Sequence, residues 1–109
     1  MEFKLLNSEQ LLDKIQQDSF VKTIVIFKHS TRCSISAMAK RILLSEMNSL
    51  HEDKIDVYYL DLLNYRIISN EVTNRFNITH ESPQIVVLKN GEVVYHASHG
   101  EISLRNISY

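Results

Sequence analysis

The length and composition of this chain are those of one globular domain. Its 109 residues suffice for a single hydrophobic core and are too few for two, so we predict one domain over residues 1–109. With 44% hydrophobic residues and a formal net charge of −1, it lacks the positive field that attracts nucleic acid or an anionic membrane. Its one cysteine forms neither an internal disulfide nor a zinc site by itself, which excludes a secreted disulfide scaffold and a zinc ribbon.

The N-terminal segment does not have the pattern of a signal peptide. Glu2 is acidic, the apolar patch that follows is short, and no later run of 18 apolar residues exists. A single cysteine also fits a reducing compartment. We therefore expect a cytoplasmic protein with no nucleic-acid or membrane partner.

The first predicted elements are a helix and a strand. Asn7 and Gln10 form a capping-box pattern, which predicts a helix over residues 8–17. Residues 23–28 are a near-continuous apolar run, which is typical of a central strand buried on both faces. The apolar side chains expected on the core face of the helix are Leu11, Leu12, Ile15 and Phe20.

Helical periodicity resumes after Cys33 and predicts a long amphipathic helix to about residue 48. Lys40, Arg41 and Glu46 are expected on its solvent side. The residues expected on its core side are Ile35, Met38, Ala39, Ile42, Leu43, Met47 and Leu50.

The second half of the chain predicts a strand, a helix and a hairpin. Residues 55–61 have the Val and Tyr content of a strand, and Asn90-Gly91 between residues 85–88 and 92–95 favours a type I′ turn. Residues 102–109 are predicted to form a short last helix. The helix between the strand and the hairpin is predicted from the apolar stripe Tyr65, Ile68, Val72 and Phe76.

The lone cysteine lies where the first buried strand gives way to a helix. Free amide groups and the positive end of the helix dipole favour the thiolate, which is the nucleophilic form. Ser36 stands three positions on, where a dithiol enzyme has its second cysteine, so redox chemistry here would use Cys33 alone. The Ser36 hydroxyl is a candidate to donate a hydrogen bond to the thiolate, or Ser36 only fills the first turn of the helix, where serine is favoured.

Three motifs occur together along the chain: Lys28-His29-Ser30-Thr31-Arg32-Cys33-Ser34-Ile35-Ser36, His80-Glu81-Ser82-Pro83-Gln84, and Asn90-Gly91 followed by Ser98-His99. In combination they closely resemble the monothiol bacilliredoxin family of the bacillithiol redox system. Members of that family commonly have proline after the reactive cysteine, where this chain has Ser34. A proline there would pre-set the helical φ and remove one amide donor near the thiol.

The resemblance implies an α/β, thioredoxin-like fold: a central mixed β-sheet flanked by helices, with a β-hairpin in the C-terminal half. It implies a monothiol thiol-disulfide oxidoreductase that acts on S-bacillithiolated proteins. Cys33 would attack the mixed disulfide, free the protein thiol and become bacillithiolated itself. Bacillithiol would then be a co-substrate, with no bound cofactor or metal, and we expect a monomer.

The resemblance also assigns roles around the cysteine. A cis-proline loop would lie against it, with Ser82 and Pro83 positioning the substrate. Thr31 and Arg32 would lie on the lip of the site, where Arg32 is a candidate to bind the malyl carboxylates of bacillithiol or a surface arginine without this role. The candidate acids or bases, each also open to a structural role, are His29 and His80.

Two other functions stay open at this point. A monothiol glutaredoxin-like iron-sulfur carrier would bind a shared cluster through one cysteine per subunit, although Ser34-Ile35 is bulkier than the glycine such proteins have after the cysteine. A redox-silent thioredoxin-like interaction module would have a thiol of ordinary pKa.

Overall fold

The computed structural model describes residues 2–50 and 53–107, which form one mixed sheet with helices on both faces. The helices are α1 (Glu9–Asp18), α2 (Ser34–Met47) and α3 (Arg66–Phe76). A 3₁₀ turn spans His99–Glu101. The strands are β1 (Lys4–Leu5), β2 (Thr23–His29), β3 (Ile55–Asp61), β4 (Gln84–Lys89) and β5 (Glu92–Ser98).

The strand order is β1-β3-β2-β4-β5. Strands β1, β3 and β2 are mutually parallel, and β4 and β5 run antiparallel as a hairpin. Asn90 and Gly91 both have positive φ at the hairpin turn, as a type I′ turn requires. The predicted mixed sheet and C-terminal hairpin are confirmed.

Strand β2 is buried along its whole length because the sheet is covered on both sides. Val25 and Phe27 belong to the core cluster that contains α2 residues, whereas Ile24 and Ile26 belong to the cluster with α1 and α3 residues. Alternate side chains of a strand point to opposite faces. The expected strand with two buried faces is therefore confirmed, and it extends one residue further, to His29.

Helix α1 begins one residue later than the capping-box pattern predicted. Ser8, not Asn7, is the N-cap, because its backbone is extended and its hydroxyl accepts from the Leu11 amide at 3.1 Å. Leu12 and Ile15 are buried as predicted. Phe20 lies beyond the helix and is 57% exposed, so its place in the core was wrongly predicted.

Helix α2 has a narrower buried face than the periodicity suggested. Ala39, Leu43 and Met47 follow one i, i+4 row into the core. The expectation was wrong for three apolar residues on the flank of that row, which are 39% to 58% exposed: Ile35, Met38 and Ile42.

Glu46 corrects the prediction of a solvent-facing carboxylate. Its side chain is only 10% exposed and accepts hydrogen bonds from Ser103 Oγ at 2.7 Å and the Leu104 amide at 2.9 Å. These bonds dock the C-terminal segment on α2, and the last helix was wrongly predicted for residues 102–107, which are irregular. Residues 108–109 of that prediction lie outside the described residues.

Strand β1 was not predicted. It is two residues long and pairs with the outer edge of β3, where Lys4 lies opposite Tyr58. Lys4 and Lys22 both bind the Asp56 carboxylate, at 3.2 and 3.1 Å. Within the described parts of the chain, no helix combines the length and apolar character needed to span a membrane.

Candidate active site around Cys33

Cys33 occupies the N-cap position of α2, four residues after β2 ends. Its backbone is extended, with φ −112° and ψ 122°, and its amide donates to the Ser30 carbonyl at 3.2 Å across the turn. The Cys33 carbonyl accepts from the Ala37 amide at 3.2 Å, which is the first hydrogen bond of the helix. Cys33 is partly exposed, which is compatible with access of a substrate to its sulfur.

The pKa of Cys33 is lowered, chiefly by a hydrogen bond from the backbone amide of Ser36. The Ile35 amide and the Ser36 hydroxyl lower this pKa further, and partial burial of the thiol opposes them. These are the donors that a helix leaves unpaired in its first turn. They favour the thiolate, the form that attacks disulfides.

Ser36 also organises the turn that precedes the helix. It is fully buried, and its hydroxyl oxygen accepts from the Ser30 amide at 3.3 Å. Because that oxygen accepts from Ser30, its proton remains available to the sulfur. One side chain thus joins the end of β2, the turn and the thiol.

Thr31 and Arg32 are both exposed on the turn between β2 and Cys33. The Arg32 amide donates to Ser30 Oγ at 3.4 Å within the turn. Their positions next to Cys33 in an exposed turn are compatible with the lip predicted for the site.

The loop before β4 lies at the same end of the sheet as Cys33, because Gln84 pairs with Lys28 near the end of β2. The Ser82–Pro83 peptide bond is cis, as the resemblance implies. The Pro83 carbonyl accepts from the His99 amide at 3.1 Å. Ser82 Oγ is buried without a hydrogen-bond partner within the described residues.

His29 is buried and contacts aromatic side chains of the core. Its Nδ1 is hydrogen-bonded to the Tyr59 hydroxyl at 2.7 Å, and its ring packs edge-on against Phe27. Burial lowers the pKa of His29, the Lys40 ammonium lowers it further, and Asp61 opposes both. His29 is therefore neutral near pH 7, and these contacts do not involve Cys33.

His80 has an exposed ring whose Nδ1 faces inward, 3.1 Å from Lys28 Nζ. Burial of that side of the ring lowers the pKa of His80, as do the cations Lys28 and Arg66, whereas Glu81 raises it. The structure thus brings His80 to Lys28, on the face of the sheet opposite α2.

Lys28 is the residue of this region that sequence reasoning missed. It is fully buried, and its ammonium donates to the Ser69 carbonyl at 3.2 Å and to Thr73 Oγ1 at 3.0 Å. Burial lowers its pKa to about 8. The sequence contains one indication of this role: Lys28 stands within a continuous apolar strand, where a charged side chain needs buried hydrogen-bond partners.

Across residues 2–50 and 53–107, no three His, Cys, Asp or Glu side chains converge as metal ligands.

Both the sequence and the fold of this chain match known proteins. Residues 4–107 match a family model described as the monothiol bacilliredoxin BrxC. A solved structure described as a candidate oxidoreductase with a thioredoxin fold is 33% identical, with a TM-score of 0.76 over 92% of this chain and 85% of that chain.

Two more distant structures share the fold. A Malassezia sympodialis thioredoxin is 19% identical, with a TM-score of 0.76 over 92% of this chain and 81% of its own. A redox protein from Chlamydomonas reinhardtii is 23% identical, with a TM-score of 0.74 over 92% of this chain and 32% of its own. At these identities the likeness shows the thioredoxin fold alone.

Proposed function

This chain belongs to the monothiol bacilliredoxin family, and from that premise we propose that it is a monothiol oxidoreductase that removes bacillithiol from S-bacillithiolated proteins. The proposal is supported above all by Cys33, a partly exposed sulfur at a helix start whose pKa is lowered by first-turn donors. A redox function follows from the family and the fold. The substrate, and a cytoplasmic site of action as a monomer, are part of the proposal.

The reaction consists of two thiol-disulfide exchanges. The Cys33 thiolate attacks the bacillithiol sulfur of the mixed disulfide, a new S–S bond joins them, and the protein leaves as a thiolate that takes a proton from water. A second bacillithiol, as its thiolate, then attacks the bacillithiol sulfur bound to Cys33. This step releases bacillithiol disulfide and regenerates the Cys33 thiolate, so the protein undergoes no net oxidation.

The donors at the start of α2 serve both steps. In the first they increase the fraction of nucleophilic thiolate, and in the second they stabilise Cys33 as the leaving group. Bacillithiol acts as co-substrate, and the reaction needs no bound cofactor.

We assign substrate contacts to the exposed turn before Cys33 and to the backbone of the loop before β4. Arg32, with Thr31 beside it, would bind the malyl carboxylates of bacillithiol through charge-assisted hydrogen bonds. The backbone at Ser82, ahead of Pro83, would pair with the protein substrate as an added strand. An acid or base role for His29 or His80 stays a prediction, and their contacts favour a role in holding the structure.

Intact mass tests the proposal directly. The protein is incubated with a bacillithiol-blocked test protein, beside a Cys33→Ala control. We expect one bacillithiol adduct on Cys33, recovery of the test-protein thiol, and release of the adduct by excess bacillithiol. The Cys33→Ala protein should show none of these.

Other outcomes select the alternatives. No adduct on the folded protein, while urea-unfolded protein reacts normally, would contradict the proposal and favour a redox-silent interaction module. Visible absorbance after reconstitution with iron, sulfide and bacillithiol, lost in Cys33→Ala, would favour an iron-sulfur carrier.

A further inference from the structure

Lys28 is a charged side chain near the C-terminal end of the central strand. None of its surface is exposed. Moving an ammonium from water into a protein interior is unfavourable unless buried acceptors replace the lost water, and a methionine would fill nearly the same space without that requirement. The presence of the charge therefore calls for a function that an apolar side chain would not supply.

The ammonium is satisfied by three acceptors, which matches its three N–H donors. Two of them, the Ser69 carbonyl and Thr73 Oγ1, lie on α3 at 3.2 and 3.0 Å. The third is His80 Nδ1 at 3.1 Å, in the loop of residues 79–83. One nitrogen atom thus connects β2, α3 and the loop that precedes β4.

This loop depends on few distant contacts. The Gln84 side chain donates to the Thr79 carbonyl at 2.9 Å and accepts from the Glu81 amide at 3.4 Å, but these bonds are local. Among the described residues, the hydrogen bonds that reach the loop from elsewhere are Lys28 to His80 and the His99 amide to Pro83. Because the His80 ring is exposed, packing alone does not determine its position.

The protonation states of Lys28 and His80 near neutral pH allow the hydrogen bond between them. An imidazole accepts at Nδ1 only when it is neutral with its proton on Nε2. The groups that act on His80 are Lys28 and Arg66, which disfavour its protonation, and Glu81, which favours it. Near neutral pH the ring is therefore in the form that accepts from the ammonium.

We propose that Lys28 is a positioning residue for disulfide exchange: anchored on α3, its ammonium fixes His80 and with it the loop that carries Ser82 and Pro83. An incoming mixed disulfide then meets a backbone edge that is already in place. Pre-organisation of this kind lowers the ordering cost of binding the substrate without changing the nucleophile. This inference rests on the proposed function.

Amide hydrogen exchange tests the loop without any substrate. In Lys28→Met and in His80→Leu, we expect the His99 amide, whose acceptor is the Pro83 carbonyl, to exchange about ten-fold faster than in the wild type. In His80→Asn, whose side-chain oxygen can accept from the ammonium, protection should be largely restored. The matched control is Lys14→Met, which replaces an exposed lysine of α1 and should leave this amide unchanged.

Kinetics test the role in exchange. For a bacillithiol-blocked protein, we expect kcat/KM to fall on the order of ten-fold in Lys28→Met and His80→Leu, mainly through a higher KM. The rate at which iodoacetamide alkylates Cys33, and its pH profile, should stay within about two-fold of the wild type. That small reagent needs no substrate-binding loop.

The outcomes are separable. The inference would be overturned if the His99 amide kept wild-type protection in both Lys28→Met and His80→Leu. It would also be overturned if these variants lost as much rate in alkylation as in disulfide exchange. If Lys28→Met does not fold, His80→Leu carries the test, because the His80 ring is exposed. A wild-type protein without exchange activity contradicts the proposed function, while amide exchange still decides whether Lys28 holds the loop.

Discussion

At Cys33, the acidity of the thiol comes from the donors of one helical turn and not from neighbouring cations. Amides of Ser36 and Ile35 and the Ser36 hydroxyl lower its pKa, and no lysine or arginine contributes a resolved effect. Dipoles at such short range are little screened by salt, unlike exposed charges. The reactivity of Cys33 should therefore vary little with ionic strength.

Ser36→Ala separates the hydroxyl from the backbone donors. The variant loses the weakest of the three donors, so the thiol pKa should rise while remaining below its ordinary value, and alkylation by iodoacetamide at pH 7 should slow about two-fold. The pH–rate profile of alkylation measures this. The control is Ser34→Ala, which changes an exposed serine two positions earlier and should match the wild type. If the Ser36→Ala profile is identical to those of the wild type and Ser34→Ala, the Ser36 hydroxyl does not lower the pKa of Cys33.

The position of Cys33 could be predicted because the apolar pattern changes from strand to helix around it. The partners of Lys28 could not, because they lie 41 to 52 residues away in sequence. Lys28 and His29 are close to Cys33 along the chain, yet alternation in the strand sends Lys28 to the opposite face of the sheet. A charged residue close to Cys33 in sequence therefore does not necessarily lie on the same side of the sheet as the thiol.

At the scale of elements, strands and helices with a strong hydrophobic period could be predicted from the sequence. Very short segments, and segments held in place by distant side chains, could not. The bounds of β3 agree with the predicted 55–61 because that strand is buried and regular. Strand β1 is too short to show a period. The C-terminal segment stays irregular because a distant carboxylate, Glu46, supplies the acceptor that the Leu104 amide would otherwise find in a helix.

The start of α2 offers a test of the residue that departs from the family pattern. Ser34 is the first residue of the helix, where proline is favoured because its φ is already helical. Cys33, with φ −112° and ψ 122°, has the extended backbone that a following proline requires. Ser34→Pro should therefore raise the free energy of unfolding by about 0.4–1 kcal/mol.

Urea denaturation measures that change, with Ser34→Ala as the control. The donors to the thiolate are the amides of Ile35 and Ser36, which Ser34→Pro leaves intact, so the pKa of Cys33 should stay lowered in this variant. A destabilised Ser34→Pro protein would mean that the Ser34 amide has a partner that proline removes.

At the scale of the whole molecule, the sheet separates two cores that serve different parts of the site. The core on the α2 side supports the reactive thiol, whereas the core on the α1 and α3 side contains the Lys28 ammonium and its contact with the loop before β4. Strand β2 belongs to both, so it joins the nucleophile to the proposed substrate edge through one rigid element.

The buried ammonium should also be visible in the stability of the whole domain. Burial lowers the pKa of Lys28 to about 8 from an ordinary 10.5, so between these pH values the unfolded chain binds more protons than the folded chain. Stability contributed by Lys28 therefore rises with pH through this window, by at most about 3 kcal/mol, and the full cost of burying the charge is present below it.

Other groups titrate in the same range, and the raised pKa values of Tyr58 and Tyr59 act in the opposite direction. The measurement is therefore the difference in unfolding free energy between wild type and Lys28→Met, from urea denaturation at pH 7 to 10. Because the tyrosines are present in both proteins, their contributions cancel and the difference should rise in favour of the wild type above pH 8. For the control Lys14→Met, the difference in unfolding free energy from the wild type should not change with pH over this range. If the difference for Lys28→Met is also independent of pH, Lys28 titrates in the folded protein as it does in the unfolded chain.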